Sequence, residues 1–306
     1  MTHEASFIAG VEDIDCRGMT TLITGSTSGI GRQTAEALGA GGATVYVHGR
    51  DAQAGKEVTD HITRAGGTAE FFPADFTRRR EIIELADRVR EASDTLDLLI
   101  NNAGGVFRSG QLTEIGVEYT FQVNHLAPFL LTAELVDQLN SSARVVTTAS
   151  AAHNGTSLNL DRVRTVDTHR SFWAYSHSKL ANILFTRELA RRGEVHGCGW
   201  TANCVHPGAI PGSGFTRFLP GPVSKLAQAL DRVPGVTSVA EGAAELLHVA
   251  LSPRTDDISG RYFSDQVPTS PSESARQPQD ANRLWRESAS LLDIDVPLQL
   301  PAKEAT

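Results

Sequence analysis

Short apolar runs rich in Val, Ile, Leu and Thr alternate along this chain with longer stretches whose apolar residues return every three or four positions. The first pattern suits strands buried on both faces, and the second suits helices with one buried stripe. It predicts strands at Thr20–Thr24, Ala43–His48, Thr68–Phe72, Leu96–Ile100, Arg144–Thr148, Trp200–Val205 and Gly260–Ser264. Helices are predicted from Gly29 to about Ala40 and over Ala52–Arg64, Arg79–Glu91, Leu112–Leu139, Trp173–Arg192, Val239–Leu251 and Leu284–Leu292. Pro128 falls inside the fourth of these and is expected to kink it. The alternation describes an α/β protein: a doubly wound parallel β-sheet of about seven strands flanked by helices. With no internal repeat and no clear boundary, residues 1–306 read as one domain with a core over about 20–265.

Two stretches depart from the rhythm. Pro207–Pro234 is rich in Gly and Pro around an apolar segment, Val223–Leu230, and reads as a mobile substrate lid over about 208–234. Ser264–Asp280 is polar and proline-bearing, a surface excursion that opens a C-terminal extension of about 265–306.

Composition narrows the partners. A chain of 306 residues, 40% hydrophobic, is able to bury a full core. The formal charge of -8 argues against a nucleic-acid partner, and the one basic run, Arg78-Arg79-Arg80, adjoins Glu81 and reads as solvated surface. Cys16, Cys198 and Cys204 form no C-x-x-C pair, so a disulfide framework is not expected and a cytoplasmic location is. The N-terminus has no signal-peptide pattern, and no apolar run approaches the ~20 residues that cross a bilayer, so no membrane partner is expected.

The first strand runs into Thr24-Gly25-Ser26-Thr27-Ser28-Gly29-Ile30-Gly31 and then into a helix. Glycines there let backbone N–H groups approach a pyrophosphate at a helix N-terminus, which makes Gly25, Thr27, Ser28, Gly29, Ile30 and Gly31 candidate dinucleotide contacts. The spacing is G-x-x-x-G-x-G rather than G-x-G-x-x-G, and such a turn can also be only a tight connection. The second strand ends His48-Gly49-Arg50-Asp51, where an NAD-selective site usually carries an acid for the ribose 2′-hydroxyl. Arg50 can instead clamp a 2′-phosphate, which favours NADP(H), with NAD as the alternative. Arg50 could equally cap a surface turn and Asp51 could start the next helix; these roles are compatible. Asp75, followed by Phe76, reads evenly as an adenine contact or as an N-cap. Asn101-Asn102-Ala103-Gly104 lets the chain pass close to the adenosine half, or is ordinary turn chemistry.

Further along, Tyr175 and Lys179 lie four residues apart and so share a helix face. A free phenol has a pKa of ~10. A neighbouring ammonium and an oxidised nicotinamide would lower it into the range of acid/base chemistry. Ser150 stands at the end of the fifth strand, where a serine is usually a turn residue. His153, His169 and His177 form no H-x-x-x-H pair and have no cysteine beside them, so no metal is expected.

The ordered set T-G-x-x-x-G-x-G (Thr24–Gly31), N-N-A-G (Asn101–Gly104), Ser150, Y-x-x-x-K (Tyr175–Lys179) and P-G (Pro207–Gly208) resembles the short-chain dehydrogenase/reductases over about residues 20–265. Val123–Thr132, Ala174–Leu189, Val205–Gly208 and Ser259–Asp265 look most like the retinol-dehydrogenase-like reductases, which commonly prefer NADP. The resemblance implies a single-domain Rossmann fold and hydride transfer between NADP(H) and a carbonyl or alcohol. It assigns catalysis to Ser150, Tyr175 and Lys179, with Lys179 also on the nicotinamide ribose. It also implies that Asn124 holds a water linking Lys179 to solvent, and that Pro207, Gly208 and Ile210 join the cofactor contacts. A homodimer or homotetramer built on the long helices is implied too.

Two positions depart from the family. Ala149 stands where relatives commonly have a second serine. Gly212 stands where a Thr or Ser bonds the nicotinamide carboxamide in relatives, which leaves Ser213 or Thr216 after a shift in the loop, or the backbone alone, for that bond. The expectation is an NAD(P)-dependent oxidoreductase acting on a small-molecule carbonyl or alcohol. Apolar lid residues Phe215, Phe218, Leu219, Val223 and Leu226 suggest a lipophilic one. A dinucleotide-binding sensor without turnover, and an isomerase or dehydratase on the same scaffold, are the alternatives.

Overall fold

The computed structural model describes residues 2–107, 111–166, 171–208, 210 and 237–301. The expected lid lies outside the described residues apart from Gly208 and Ile210, and so does His169. The strands β1 (Thr20–Ile23), β2 (Thr44–Gly49), β3 (Thr68–Pro73), β4 (Leu96–Asn101), β5 (Leu139–Thr148), β6 (Thr201–His206), β7 (Tyr262–Ser264) and β8 (Val267–Thr269) join in one sheet. Their spatial order is β3-β2-β1-β4-β5-β6-β7-β8. All neighbours are parallel as far as β7, and β8 closes the edge antiparallel.

Alternate residues of each central strand enter opposite cores, which explains why those strands read as unbroken apolar runs. Leu22, Tyr46, Leu99 and Val145 pack on one face, against α4 (Arg79–Ala92), α6 (Ala127–Leu135), α7 (Ser171–Val195) and α9 (Pro278–Leu292). Ile23, Val45, Val47, Leu98, Ile100 and Val146 pack on the other, against α1 (Thr2–Ala9), α2 (Gly29–Ala40), α3 (Ala52–Arg64) and α8 (Val239–Leu251).

The structure departs from these expectations in several places. The sheet has eight strands instead of about seven, because the β7–β8 turn places Asp265 and Gln266 at positive φ and folds three exposed residues back along the edge. The helix predicted over Leu112–Leu139 begins only at α5 (Tyr119–Phe121). Before it, Gly116 at φ +71 allows a turn in which Thr113 N–H bonds Val117 O at 2.8 Å. The helix then widens into a π turn over Gln122–Leu126, with Ala127 N–H reaching Gln122 O. Pro128 follows at once and cannot donate a helical bond of its own, so the expected kink takes the form of a local change in winding. Strand β5 starts at Leu139 instead of Arg144, with a register shift against β4 between Leu96 and Leu98. The N-terminal segment forms the two-turn helix α1, tied down by a His248 Nδ1 to Ala9 O bond of 3.2 Å and a Gln266 Nε2 to Ile8 O bond of 3.1 Å.

The C-terminal extension is part of the core. Trp285 of α9 stacks on Phe185 of α7, with ring centres 5.8 Å apart at 12°, and meets Phe129 of α6 edge-on at 5.0 Å. Its indole N–H bonds Pro297 O at 3.0 Å. Arg192 lies over the same indole at 4.9 Å. It also bonds buried Glu188 (2.7 Å), Asn282 (2.9 Å) and Leu298 O (2.9 Å), satisfying a buried guanidinium with partners from both helices and the tail. The basic run divides. Arg78 and Arg80 make exposed ion pairs with Glu81 and Glu84, while Arg79 Nε bonds Leu292 O at the end of α9.

Trp285→Ala is therefore expected to lower folding stability by about 3–5 kcal/mol, read as an earlier urea midpoint. A loss under about 1 kcal/mol would mean that α9 is a detachable appendage.

Candidate active site

Strand β1 pairs with β2 on one side and β4 on the other, so the loops leaving their carboxyl ends diverge and open a crevice. A cavity of about 600 Å³ lies there. Every expected residue of the glycine turn lines it: Gly25, Thr27, Ser28, Gly29, Ile30 and Gly31. Arg50, Asp75, Phe76, Asn102, Ala103 and Gly104 continue the wall along the ends of β2, β3 and β4. Ser150, Tyr175, Lys179, Pro207, Gly208 and Ile210 complete it toward β5, α7 and β6. Asn124 is fully buried and does not line it. The carboxamide candidates Gly212, Ser213 and Thr216, and the apolar lid residues, lie outside the described residues.

The glycine turn is held from two sides. Asn102 Nδ2 donates to Thr24 O (2.9 Å) and Gly25 O (3.3 Å), while Asn102 and Ala103 N–H both bond Thr24 Oγ1 at 3.0 Å. A side chain on Gly31 would collide with the Asn102 amide and the Gly25 carbonyl. Gly29, at φ +57, opens α2, and a Cβ there would meet no atom within 4 Å. The turn thus leaves room above a helix N-terminus, which is the cradle a pyrophosphate requires. The residues fit a dinucleotide.

On the other side stands His48, which sequence reasoning passed over as a strand tip. Its Nδ1 accepts from Gly25 N–H at 3.1 Å, and its Nε2 donates to Ala74 O at 3.2 Å. The ring stacks on Phe76 with centres 4.3 Å apart. Burial pushes the imidazole down to about 4, so it stays neutral and both nitrogens are matched. A histidine at a tip whose neighbours are glycine and arginine was the available signal. Asp51 is the N-cap of α3, accepting from Gln53 and Ala54 N–H. Asp75 is not the N-cap of α4, which is Arg78; its carboxylate holds Thr77 N–H and the Thr77 hydroxyl in a local turn.

At the other end, Lys179 is buried and donates from Nζ to Thr148 O at 2.8 Å. It stands 5.6 Å from the centre of the Tyr175 ring. Burial lowers the ammonium from 10.5 to about 8. Tyr175 is 8% exposed. Burial raises its phenol above 10, and a hydrogen bond with the Ser150 side chain partly opposes that. In the chain itself desolvation outweighs that bond and holds Tyr175 as the neutral acid. Ser150 caps the short turn after β5 by accepting Ala152 N–H at 3.2 Å.

Supporting residues surround this group. Asn124, in the π turn, accepts Gly105 N–H (3.0 Å) and donates to Gly105 O (3.0 Å) and Ser178 Oγ (2.9 Å). Ser178 in turn bonds Tyr175 O at 2.7 Å. His153 was weighed only as a metal ligand. It donates from Nδ1 to Ser150 O at 2.6 Å and accepts Ser272 N–H at 3.0 Å, tying the Ser150 loop to the C-terminal excursion. His177 accepts Asn159 N–H at 3.0 Å and stacks on Trp173. Among the described residues no group of three His, Cys, Asp or Glu side chains gathers as metal ligands.

The chain is similar to known proteins over most of its length. The family profile described as short chain dehydrogenase matches residues 19–218. Retinol dehydrogenase 12 of Mus musculus is 38% identical over 296 residues, covering 94% of this chain and 91% of that protein. A candidate daunorubicin C-13 ketoreductase of Streptomyces sp. (strain C5) is 36% identical over 279 residues, covering 89% and 92%. Among solved structures, a short chain dehydrogenase from Burkholderia cenocepacia J2315 in complex with NADP superposes with a TM-score of 0.64 at 28% identity, covering 82% of this chain and 97% of that one.

The buried ammonium carries a stability consequence. The unfolded chain holds its lysine proton up to about 10.5 and the fold releases it near 8. The ammonium therefore opposes folding at neutral pH, and stability is regained as pH rises across that window. Thr148 O keeps a second donor in Asn182 Nδ2 at 3.2 Å. Lys179→Met is expected to melt higher than the unmutated protein at pH 7, by the equivalent of about 1–3 kcal/mol, with the gap closing toward pH 10.5. A lower melting temperature at pH 7 would contradict the burial penalty.

Proposed function

The chain belongs to the short-chain dehydrogenase family, and from that premise we propose that it interconverts a lipophilic carbonyl compound and its alcohol with NADP(H). One observation carries the reading. The hydroxyls of Tyr175 and Ser150 and the ammonium of Lys179 converge on one cavity whose other end is a helix-start phosphate cradle. The bound nicotinamide would supply the two-electron exchange with the substrate carbon. The glycine turn, Asn102–Gly104, Pro207, Gly208 and Ile210 would hold it.

Each remaining role follows from the chain's own groups. Tyr175, kept neutral by burial, donates its proton to the substrate oxygen in the reducing direction. Ser150 hydrogen-bonds the same oxygen and fixes its direction. Lys179 restores charge balance beside Tyr175 and, as the family resemblance implies, would hold the nicotinamide ribose. Asn124 anchors this group through Ser178 and Gly105. A lipophilic substrate is supported by Phe107, Val123 and Phe172 on the cavity.

NADP over NAD is supported by Arg50 at the end of β2, where the adjacent acid, Asp51, is spent on capping α3. A catalytically silent sensor has no use for a buried Lys179 beside Tyr175. An isomerase or dehydratase would turn over without net cofactor consumption. The sides of α6 and α7 that carry Phe129 and Phe185 are covered by α9, so any homodimer or homotetramer would use other surfaces. Free thiols at Cys16, Cys198 and Cys204 support a reducing compartment such as the cytoplasm.

A panel of ketones and aldehydes with NADPH is expected to reveal turnover. Tyr175→Phe should cut kcat/KM by about 10²–10⁴ while leaving NADPH affinity near that of the unmutated enzyme. For reduction, kcat/KM should fall as pH rises through about 8, as Lys179 loses its charge while Tyr175 stays protonated. Full activity in the Tyr175→Phe protein would exclude the proposed acid.

A further inference from the structure

The adenosine end of the cavity holds a pair that the sequence left unremarked. Arg50 leaves the end of β2 and Tyr119 begins α5, yet Arg50 Nη1 reaches the Tyr119 hydroxyl at 3.4 Å. Both residues line the cavity. The Tyr119 ring is braced edge-on by Phe107, with centres 4.9 Å apart at 64°. Its backbone is set by the helix start, where Glu118 caps α5 by accepting Phe121 N–H at 2.9 Å and the Thr120 hydroxyl at 2.9 Å. The phenol is therefore an oriented group rather than a swinging one.

Charge at this end is positive and available. Glu118 is buried and turned into its own helix. Asp51 accepts Gln53 and Ala54 N–H, and Asp75 accepts the N–H and hydroxyl of Thr77. His48 is neutral and fully engaged with Gly25 and Ala74. Among the described residues the hydrogen-bond partner of Arg50 is the Tyr119 hydroxyl, not a carboxylate. A hydroxyl that accepts from a guanidinium still has its own proton to give, and the cation strengthens it as a donor. Arg50 and Tyr119 together offer one anion a guanidinium and a phenol O–H. A phosphate monoester, with three acceptor oxygens, matches that pair; a ribose hydroxyl does not need it.

We propose that Tyr119 is a specificity-determining residue that reads the 2′-phosphate of NADP(H) jointly with Arg50. The inference rests on the cofactor reading above and adds to it a second reader that acts through the Arg50 bond. The test compares 2′,5′-ADP with 5′-AMP, which differ only in the 2′-phosphate, by calorimetric binding to the full-length protein. Tyr119→Phe keeps the ring against Phe107 and is expected to weaken 2′,5′-ADP about 10-fold while leaving 5′-AMP unchanged. In an Arg50→Ala background the same substitution should change 2′,5′-ADP binding less than twofold, because the two donors act as one clamp. Kinetics should follow, with kcat/KM for NADPH falling and that for NADH holding. Equal weakening of both nucleotides, or no change in either, overturns the role of Tyr119. A wild-type protein that binds the two equally also overturns it, while Tyr175-dependent turnover with NADH would leave the redox reading standing.

Discussion

The buried hydrogen bond from Lys179 Nζ to Thr148 O is the constraint around which the catalytic end is built. An ammonium taken out of water is costly, and burial lowers its proton affinity to about 8 rather than leaving it fully charged at all working pH. The same carbonyl accepts from Asn182, so two side chains of α7 grip the end of β5 two residues before Ser150. That grip sets the height of the helix on the sheet. Tyr175, one turn earlier, comes to the cavity wall as a consequence, and Ser178 passes the restraint on to Asn124 and Gly105. The group gives up stability to bring a proton donor, a hydroxyl and a titratable cation to one place.

The cofactor end follows a different rule, in which neutral groups fix the shape of the cradle and Arg50 brings a cation to its wall. Asn102 and His48 both hold the glycine turn by uncharged hydrogen bonds, so the helix N-terminus faces the cavity without a competing carboxylate. The carboxylates nearest by, Asp51 and Asp75, are occupied by backbone N–H groups. Arg50 is thereby left as the electrostatic feature of that wall.

Much of this was legible in the sequence because the central strands are buried on both faces, which leaves short apolar runs such as Leu98–Ile100 and Val145–Val146. The glycine turn, Tyr175 and Lys179 were legible because spacing puts them at a strand end or on one helix face, and Ser150 through the family resemblance; all line the cavity. Features decided by tertiary contacts were not. Strand β8 is three exposed residues with no period to detect, and α1 is two turns held by tertiary contacts, among them the bonds from His248 and Gln266. The π turn at Gln122–Leu126 keeps an apolar spacing that imitates an ordinary helix. The carboxylate of Asp75 could not be assigned until Thr77 was seen to occupy it, and the direction of the Tyr175 shift depends on burial that no local motif reports.

The account stands on the ionisation of one buried side chain, and side-chain NMR of labelled lysine is the direct way to read it. Titrating the Lys179 signal, assigned by its loss in Lys179→Met, should give a midpoint of about 8, well below the 10.5 of a solvated lysine. A midpoint at or above 10.5 would mean that the ammonium is not desolvated in the fold, and the arrangement described for the catalytic end would be contradicted.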